Sequence, residues 1–216
     1  MSHRCRTILL VCPFALLCIL RCARAEEPTT RPAAGTGIVQ GKVTSPGEVP
    51  LAAMVVYLES PAPRSDFVLP SEHVPVSQKG AKFSPAIVIV CVGQTVDFLN
   101  DEDRPIEHNV FSNSPIKPFD LGLYRPGESR QVLFDKPGAV FLYCSIHRHM
   151  DGVVFVSPSP FTSRVDPEGH YEIKGVPAGD WVVKTWQRRR RFPELNVPVS
   201  VQPDKSVTAD LELHLK

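Results

Sequence analysis

The sequence predicts an all-β protein built as a sandwich or barrel of short strands. Proline accounts for 22 of the 216 residues. Prolines inside a helix break it, and here they are spread along the chain, which excludes a helical bundle or a coiled coil. Short β-branched and aromatic runs instead recur between turns rich in proline and glycine, a pattern typical of β-sandwiches and barrels.

The first 25 residues have the layout of a secretory signal peptide. Two arginines precede an apolar run over residues 8–20, and residues 23–25 (ARA) form a small-x-small cleavage motif. The apolar run is too short to span a bilayer as a helix. We therefore expect cleavage between Ala25 and Glu26 and export to the periplasm or beyond, with an uncleaved membrane anchor as the alternative.

Removal of that segment leaves a nearly neutral chain with two cysteines. The remaining residues carry 20 basic and 23 acidic side chains, a balance that gives no general attraction to nucleic acid or to anionic membranes. The two remaining cysteines are Cys91 and Cys144. Two cysteines in an oxidising compartment often form a disulfide. A Cys91–Cys144 disulfide is therefore the alternative to any functional role for Cys144.

Two short strands are predicted before a proline-rich loop. Residues 26–35 are polar and favour a flexible segment. Residues 38–43 alternate between apolar and polar side chains, and residues 54–58 (MVVYL) are β-branched and aromatic, so both favour strands. Residues 60–72 contain three prolines and are predicted to form a loop.

A dense series of strands is predicted next, with loops over residues 100–128, which are rich in proline, asparagine and aspartate. The run Ile87–Val92 is apolar at every position, so we expect both of its faces to be covered. Within it the valines share one face and Cys91 lies on the other. The predicted strands of this part are residues 73–77, 88–92, 95–99, 130–134, 139–143 and 152–156.

Residues 157–160 (SPSP) mark a boundary before a second, smaller β unit. Strands are predicted there at residues 170–173, 181–186, 197–201 and 207–213. The tail that follows residue 160 is marginal in length for a core of its own. We therefore expect it to need strands from elsewhere in the chain.

One motif carries the chemistry of a soft metal site. Cys144, His147 and Met150 are spaced by three residues in the segment YCSIHRHM, and His108 lies upstream in EHNVFS. One thiolate, two imidazoles and a weak thioether are the donors of a trigonal blue-copper site. Zinc is the main competitor, although structural zinc sites rarely use methionine.

The other polar residues of interest are interpreted as solvent-exposed residues that do not bind the metal. His149 sits between two candidate ligands but is expected to point to solvent. The acidic run Asp101–Asp103 is interpreted as loop solvation. The run Arg188–Arg191 is interpreted as a solvated loop, with a docking patch for an acidic partner left open.

Six segments around the metal motif resemble the cupredoxins, and the short ligand loop is most similar to the amicyanin and pseudoazurin group. The resemblance implies a Greek-key β-sandwich over residues 73–157 and one mononuclear type 1 copper ion bound by His108, Cys144, His147 and Met150. It also implies that Asn109 braces the ligand loop. The gap between Asn100 and His108 is longer and more acidic than the family's pattern. The six segments are residues 83–85 (FSP), 92–100 (VGQTVDFLN), 108–110 (HNV), 126–128 (PGE), 137–138 (PG) and 143–150 (YCSIHRHM).

The flanking segments show a second resemblance. Residues 41–59 and 166–186 look like the opening and the middle of transthyretin-like or carboxypeptidase regulatory-like β-sandwiches. This resemblance implies that residues 36–60 and 161–216 form one sandwich, split by insertion of the copper unit. Two domains in simple tandem are the alternative.

Together these patterns predict an exported blue copper protein that carries single electrons between redox partner proteins and is not an enzyme. No hydrolase motif or phosphate-binding loop occurs in the sequence, and four protein ligands leave no position for a substrate. We expect no nucleic-acid partner and no membrane association after signal cleavage. Copper binding and delivery, and an interaction module with a vestigial site, are the alternatives, because the same four residues serve each role.

Overall fold

The described part of the chain is composed of strands and loops. The computed structural model describes residues 35–47, 51, 53–189 and 191–215. The predicted signal peptide and nearly all of the predicted flexible segment lie outside the described residues. Within these ranges the protein is all-β, as predicted, and contains no helix long and apolar enough to cross a membrane.

Seventeen strands are formed by the described residues. They are β1 (Thr36–Thr44), β2 (Met54–Glu59), β3 (Val74–Gln78), β4 (Phe83–Ser84), β5 (Ile87–Cys91), β6 (Gln94–Asn100), β7 (His108–Ser112), β8 (Phe119–Tyr124), β9 (Ser129–Phe134), β10 (Gly138–Tyr143), β11 (Asp151–Ser157), β12 (Thr162–Arg164), β13 (His170–Pro177), β14 (Gly179–Gln187), β15 (Asn196–Val201), β16 (Ser206–Thr208) and β17 (Leu211–Glu212).

Strands β3 to β11 form a sandwich of two sheets. One sheet has the order β5-β11-β10-β7-β8 and the other the order β4-β3-β6-β9. Alternate side chains of each strand enter the core, as the period of two requires; in β6, for example, Val96 and Phe98 are fully buried while their neighbours are not. The same core contains Cys144 and Met150, two of the candidate ligands.

The remaining strands form a second pair of sheets with a core of its own. Strand β1 pairs with β13, β16 and β17, and β2 pairs with β12 and β14. The first two strands of the described chain therefore hydrogen-bond with strands that follow residue 161. Trp181 is the largest side chain buried in this second core, and its indole nitrogen donates to the carbonyl of Pro177.

A small aromatic cluster lies where the two sandwiches touch. Phe155 on β11 stacks on Trp186 of β14, with ring centroids 4.7 Å apart, and contacts the edge of Tyr57 on β2. Ile89 packs against this cluster, whereas Val88 and Val90 point into the core of the first sandwich. The prediction that both faces of the run 87–92 are covered is confirmed.

Several predicted boundaries were wrong. The loop predicted over residues 100–128 contains β7 and β8, and β4 and β12 were missed. The predicted strand 207–213 is divided into β16 and β17. Strand β7 lacks an apolar run because it buries polar side chains, including His108 and Asn109, so tertiary contacts rather than local pattern determine it.

Both cysteines of the described chain are buried and free. Cys91 ends β5, and Cys144 follows β10. Burial raises the pKa of the Cys91 thiol to about 11. The alternative of a Cys91–Cys144 disulfide is not what the structure forms.

Candidate metal centre

The loop between β10 and β11 carries three of the four predicted ligands. The pairing of the two antiparallel strands ends with Tyr143 opposite Asp151. Residues 144–150 therefore form the tight loop that connects them. The amide of Met150 donates a 2.9 Å hydrogen bond to the carbonyl of His147, which forms the turn. Cys144 is the first residue of this loop and Met150 is the last, and both side chains pack in the sandwich core.

His108 reaches the same end of the sandwich from the neighbouring strand. Tyr143 of β10 is opposite Phe111 of β7, and antiparallel register places Asn109 opposite Ser145 and His108 beyond it. The 2.9 Å hydrogen bond from the Ser145 amide to the Asn109 side-chain oxygen agrees with that register. The first residue of β7 therefore lies against the ligand loop.

The structure brings His108, Cys144 and His147 together. The potential ligand atoms of these three residues all lie within 4.8 Å of one another. The Cys144 sulfur is 3.6 Å from Nδ1 of His147, and the two imidazole centroids are 4.8 Å apart. A sulfur about 2.3 Å and a nitrogen about 2.0 Å from one tetrahedral metal ion would be roughly 3.5 Å apart, so the observed spacing fits a shared ion.

His108 has one nitrogen satisfied and one without a partner. Its Nε2 lies 2.9 Å from an oxygen of Glu102, and an ionised carboxylate can only accept, so Nε2 carries the proton. Its Nδ1 is fully buried and has no hydrogen-bond partner among the described residues. An imidazole fixed in this tautomer by a carboxylate presents its free lone pair to a metal ion.

Glu102 is the residue that the sequence analysis misread. Its side chain is only 5% exposed, and one oxygen accepts from the Ala81 amide as well as from His108. The hydrogen bond from His108 is the main reason that the pKa of the Glu102 carboxyl lies below its usual value. The interpretation of residues 101–103 as loop solvation is therefore wrong for Glu102, although Asp103 is exposed and pairs with Lys79.

Asn109 connects β7 to the ligand loop and to β8. While its oxygen accepts from Ser145, its amide nitrogen donates to the Asp120 carboxylate at 2.6 Å. Asp120 also accepts from the Gly122 amide. The hydrogen bond from Ser145 restrains the backbone immediately after Cys144. It is a contact of the kind that the resemblance implies for Asn109.

The candidate ligands differ in their access to solvent. His108, Cys144 and Met150 are 0%, 6% and 1% exposed, whereas His147 is half-buried and His149 is exposed. Met150 packs in the same apolar core as Cys144, and its axial role stays a prediction. His149 lies outside the group of three, as expected.

No protein-family model matches the chain, and no curated protein matches it. Solved structures of cupredoxins are similar to part of it. A purple cupredoxin from Nitrosopumilus maritimus is 26% identical over 39% of this chain and 99% of its own length, with a TM-score of 0.36. An oxidised mutant of amicyanin is 20% identical over 39% of this chain and 81% of its own, with a TM-score of 0.36.

A copper-containing nitrite reductase from Thermus scotoductus is 25% identical over 53% of this chain, with a TM-score of 0.38. This chain spans only 28% of that enzyme's length. The similar structures thus include both a cupredoxin that stands alone and an enzyme, and each similarity covers only part of this chain.

Proposed function

We propose that this chain is a one-electron carrier with a mononuclear type 1 copper site formed by His108, Cys144, His147 and Met150. The observation that carries the proposal is the buried, unpartnered Nδ1 of His108 beside the Cys144 thiol and the His147 ring. A buried polar atom without a partner costs about 1–3 kcal/mol. Metal coordination at that nitrogen would remove this cost.

The donor set suits both oxidation states of copper. A bound copper ion would supply a couple between Cu(II) and Cu(I); the thiolate and thioether favour Cu(I), and the imidazoles hold Cu(II). Glu102 and Asn109 restrain His108 and the backbone after Cys144. Ligands held in this way move little when one electron arrives or leaves, which keeps transfer fast.

His147 is the ligand that a redox partner can approach. Its half-buried ring is the most exposed of the four candidate ligands. An electron can therefore enter or leave through the imidazole edge while Cys144 and Met150 stay shielded from water. The covalent path from the Cys144 sulfur leads into β10 and away from the surface.

Retention of copper fits the site better than delivery. Metal delivery requires ligands that a recipient can reach and displace, whereas three of the four candidates here are almost completely buried. The imidazole of His108 is further restrained by the buried Glu102 carboxylate. Since the ligand set is complete, a vestigial site is also disfavoured.

Two further parts of the proposal concern the rest of the chain. We propose that residues 1–25 direct export, on the strength of their signal-peptide layout. We also propose that residues 36–60 and 161–216 form one carboxypeptidase regulatory-like sandwich split by residues 73–157. The pairing of β1 and β2 with strands after residue 161 supports this arrangement.

The test is a visible spectrum of the oxidised, copper-loaded protein. We expect intense thiolate-to-copper absorption at about 600 nm, lost in Cys144→Ser because a hydroxyl is a poor soft ligand. Cys91→Ser is the matched control and should stay blue. Repeated reduction and oxidation without loss of copper on dialysis would separate electron transfer from delivery. A Cys144→Ser protein that kept the band would contradict the proposal.

A further inference from the structure

A positively charged cleft lies beside the ligand loop, at the junction of the two sandwiches. The cleft has a volume of about 300 Å³. Its floor is apolar, formed by Met54, Ile87 and Phe192, and its rim carries Arg188, Arg189 and Arg191 together with Gln187. None of the described residues that line it is a carboxylate, although acidic residues outnumber basic ones once the predicted signal peptide is removed.

An ion pair ties this arginine cleft to the candidate copper site. Arg188 donates to the carboxylate of Asp151, which directly follows Met150. A second arginine, Arg164, donates to the carbonyl of the floor residue Ile87 at 2.6 Å. The second sandwich thus places one arginine on β11, the strand that leaves the ligand loop, and another on its neighbour β5.

Strand register gives the approximate separation of the cleft from the site. Ile87 is opposite Val153, and Val153 is opposite Phe141, so Ile87 lies two strands from β10 and three residues short of Cys144. Two strand spacings and three residues along a strand each amount to about 10 Å, so the two Cα atoms are roughly 14 Å apart. A protein docked over the cleft would therefore extend over the ligand loop.

Two of the rim guanidinium groups are available for a partner. Arg189 and Arg191 are exposed, and their side chains make no hydrogen bond or ion pair with the described part of the chain. Guanidinium groups bind carboxylates through two parallel hydrogen bonds. Arginines around an apolar centre are also the composition of protein–protein interfaces.

We propose that the arginine cleft docks an acidic redox partner protein and steers it onto the ligand loop. The inference rests on the proposed electron-carrier function, which requires a protein that gives or takes the electron. Surface carboxylates of the partner would pair with Arg189 and Arg191, and an apolar side chain would cover the floor. Opposite charges at the contact accelerate encounter, an effect that salt removes.

The first arm of the test needs no copper. Binding of a fluorescent octaglutamate peptide to the metal-free protein is measured by anisotropy at low ionic strength. We expect Arg189→Gln with Arg191→Gln to weaken binding about fivefold. The control, Lys174→Gln with Lys205→Gln, removes the same charge from exposed positions elsewhere and should change binding less than about twofold. Equal losses in the two variants, or tighter binding of a duplex DNA of equal charge, would overturn the proposal.

The second arm uses the copper-loaded protein and two small redox reagents of opposite charge. Loss of the two arginines should slow electron exchange with anionic hexacyanoferrate about threefold or more at low salt. Exchange with cationic tris(phenanthroline)cobalt should stay the same or become faster. An unchanged hexacyanoferrate rate would overturn the docking proposal. Failure to exchange electrons with either reagent would instead refute the electron-carrier function, so the two failures are distinguishable.

Discussion

The hydrogen bond between Glu102 and His108 determines the tautomer and the orientation of the His108 imidazole. The carboxylate fixes the tautomer of His108 through Nε2 and leaves the lone pair of Nδ1 free to bind a metal ion. A carboxylate partner also makes an imidazole a stronger donor, which favours Cu(II). Glu102 is therefore a positioning residue that should influence the reduction potential without binding copper.

We predict that Glu102→Gln raises the reduction potential of the copper-loaded protein. The amide keeps the size of the side chain and can still accept a hydrogen bond, but its negative charge is gone. A tenfold weaker affinity for Cu(II) relative to Cu(I) corresponds to about 60 mV for one electron, measurable by voltammetry. Asp103→Asn removes the same charge from an exposed position in the same loop and should shift the potential much less. Equal shifts in the two variants would show that Glu102 acts only through its negative charge and not through its hydrogen bond to His108.

A second residue-scale prediction separates the two histidines of the ligand loop. His149→Ala should leave the visible spectrum nearly unchanged, because His149 is exposed and outside the group of three. His147→Ala should remove one donor and change the spectrum strongly. Spectra of both variants, loaded with equal amounts of copper, test this; the reverse result would mean that the loop binds metal in another register.

Residue types and spacing allowed prediction of the candidate ligands but not of Glu102. A cysteine, a histidine and a methionine spaced by three residues are rare and chemically specific, which made them candidates from local sequence alone. The structure brings Cys144 and His147 together with His108, and the role of Met150 stays a prediction. The role of Glu102 depends on the approach of the backbone at Ala81, which donates to its carboxylate. No local pattern encodes that contact, since residues 81 and 102 meet only in the folded chain.

At the scale of elements, the site exists because β7, β10 and β11 are neighbours in one sheet. The continuous apolar run of β5 and the alternation of β6 made those strands predictable. Strand β7 was not, because its buried His108 and Asn109 serve the site instead of following an apolar pattern. Strand β8 was not predicted because it contains Asp120 and Gly122, residue types that are depleted in strands.

The face assignment of β5 leads to a prediction about both cysteines. Val88 and Val90 point into the first core, and Cys91 ends the strand as a buried, free thiol. Alkylation of the denatured, unreduced protein without residues 1–25, which keeps two of the six cysteines, should label two thiols by mass. Because burial raises the pKa of Cys91 to about 11, the folded protein at about pH 8 should label this residue slowly, since the thiolate is the reactive form. A protein 2 Da lighter with no label would show a disulfide instead.

At the scale of the whole molecule, the two sandwiches share an aromatic junction. The aromatic cluster of Tyr57, Phe155 and Trp186 covers the face of β11 and β5 that the first core does not use. Buried aromatic side chains such as Phe155 typically contribute about 3–5 kcal/mol when compared with alanine. The same junction holds the arginine cleft, so the second sandwich both covers one face of the first sandwich and supplies basic groups beside it.

The last prediction concerns a truncation to residues 26–160, which removes β12 to β17. Strand β1 would lose β13, β16 and β17, and β2 would lose β12 and β14. The two strands would then expose unpaired edges, which promote association between chains. We expect this truncation to aggregate or to unfold at a much lower temperature than the full chain, as measured by light scattering and circular dichroism. A truncation to residues 73–157 keeps both sheets of the first sandwich and carries no orphan strands, so it should remain able to bind copper. If residues 26–160 were monomeric and as stable as the full chain, the first two strands would not need the tail, and the split arrangement of the second sandwich would have to be abandoned.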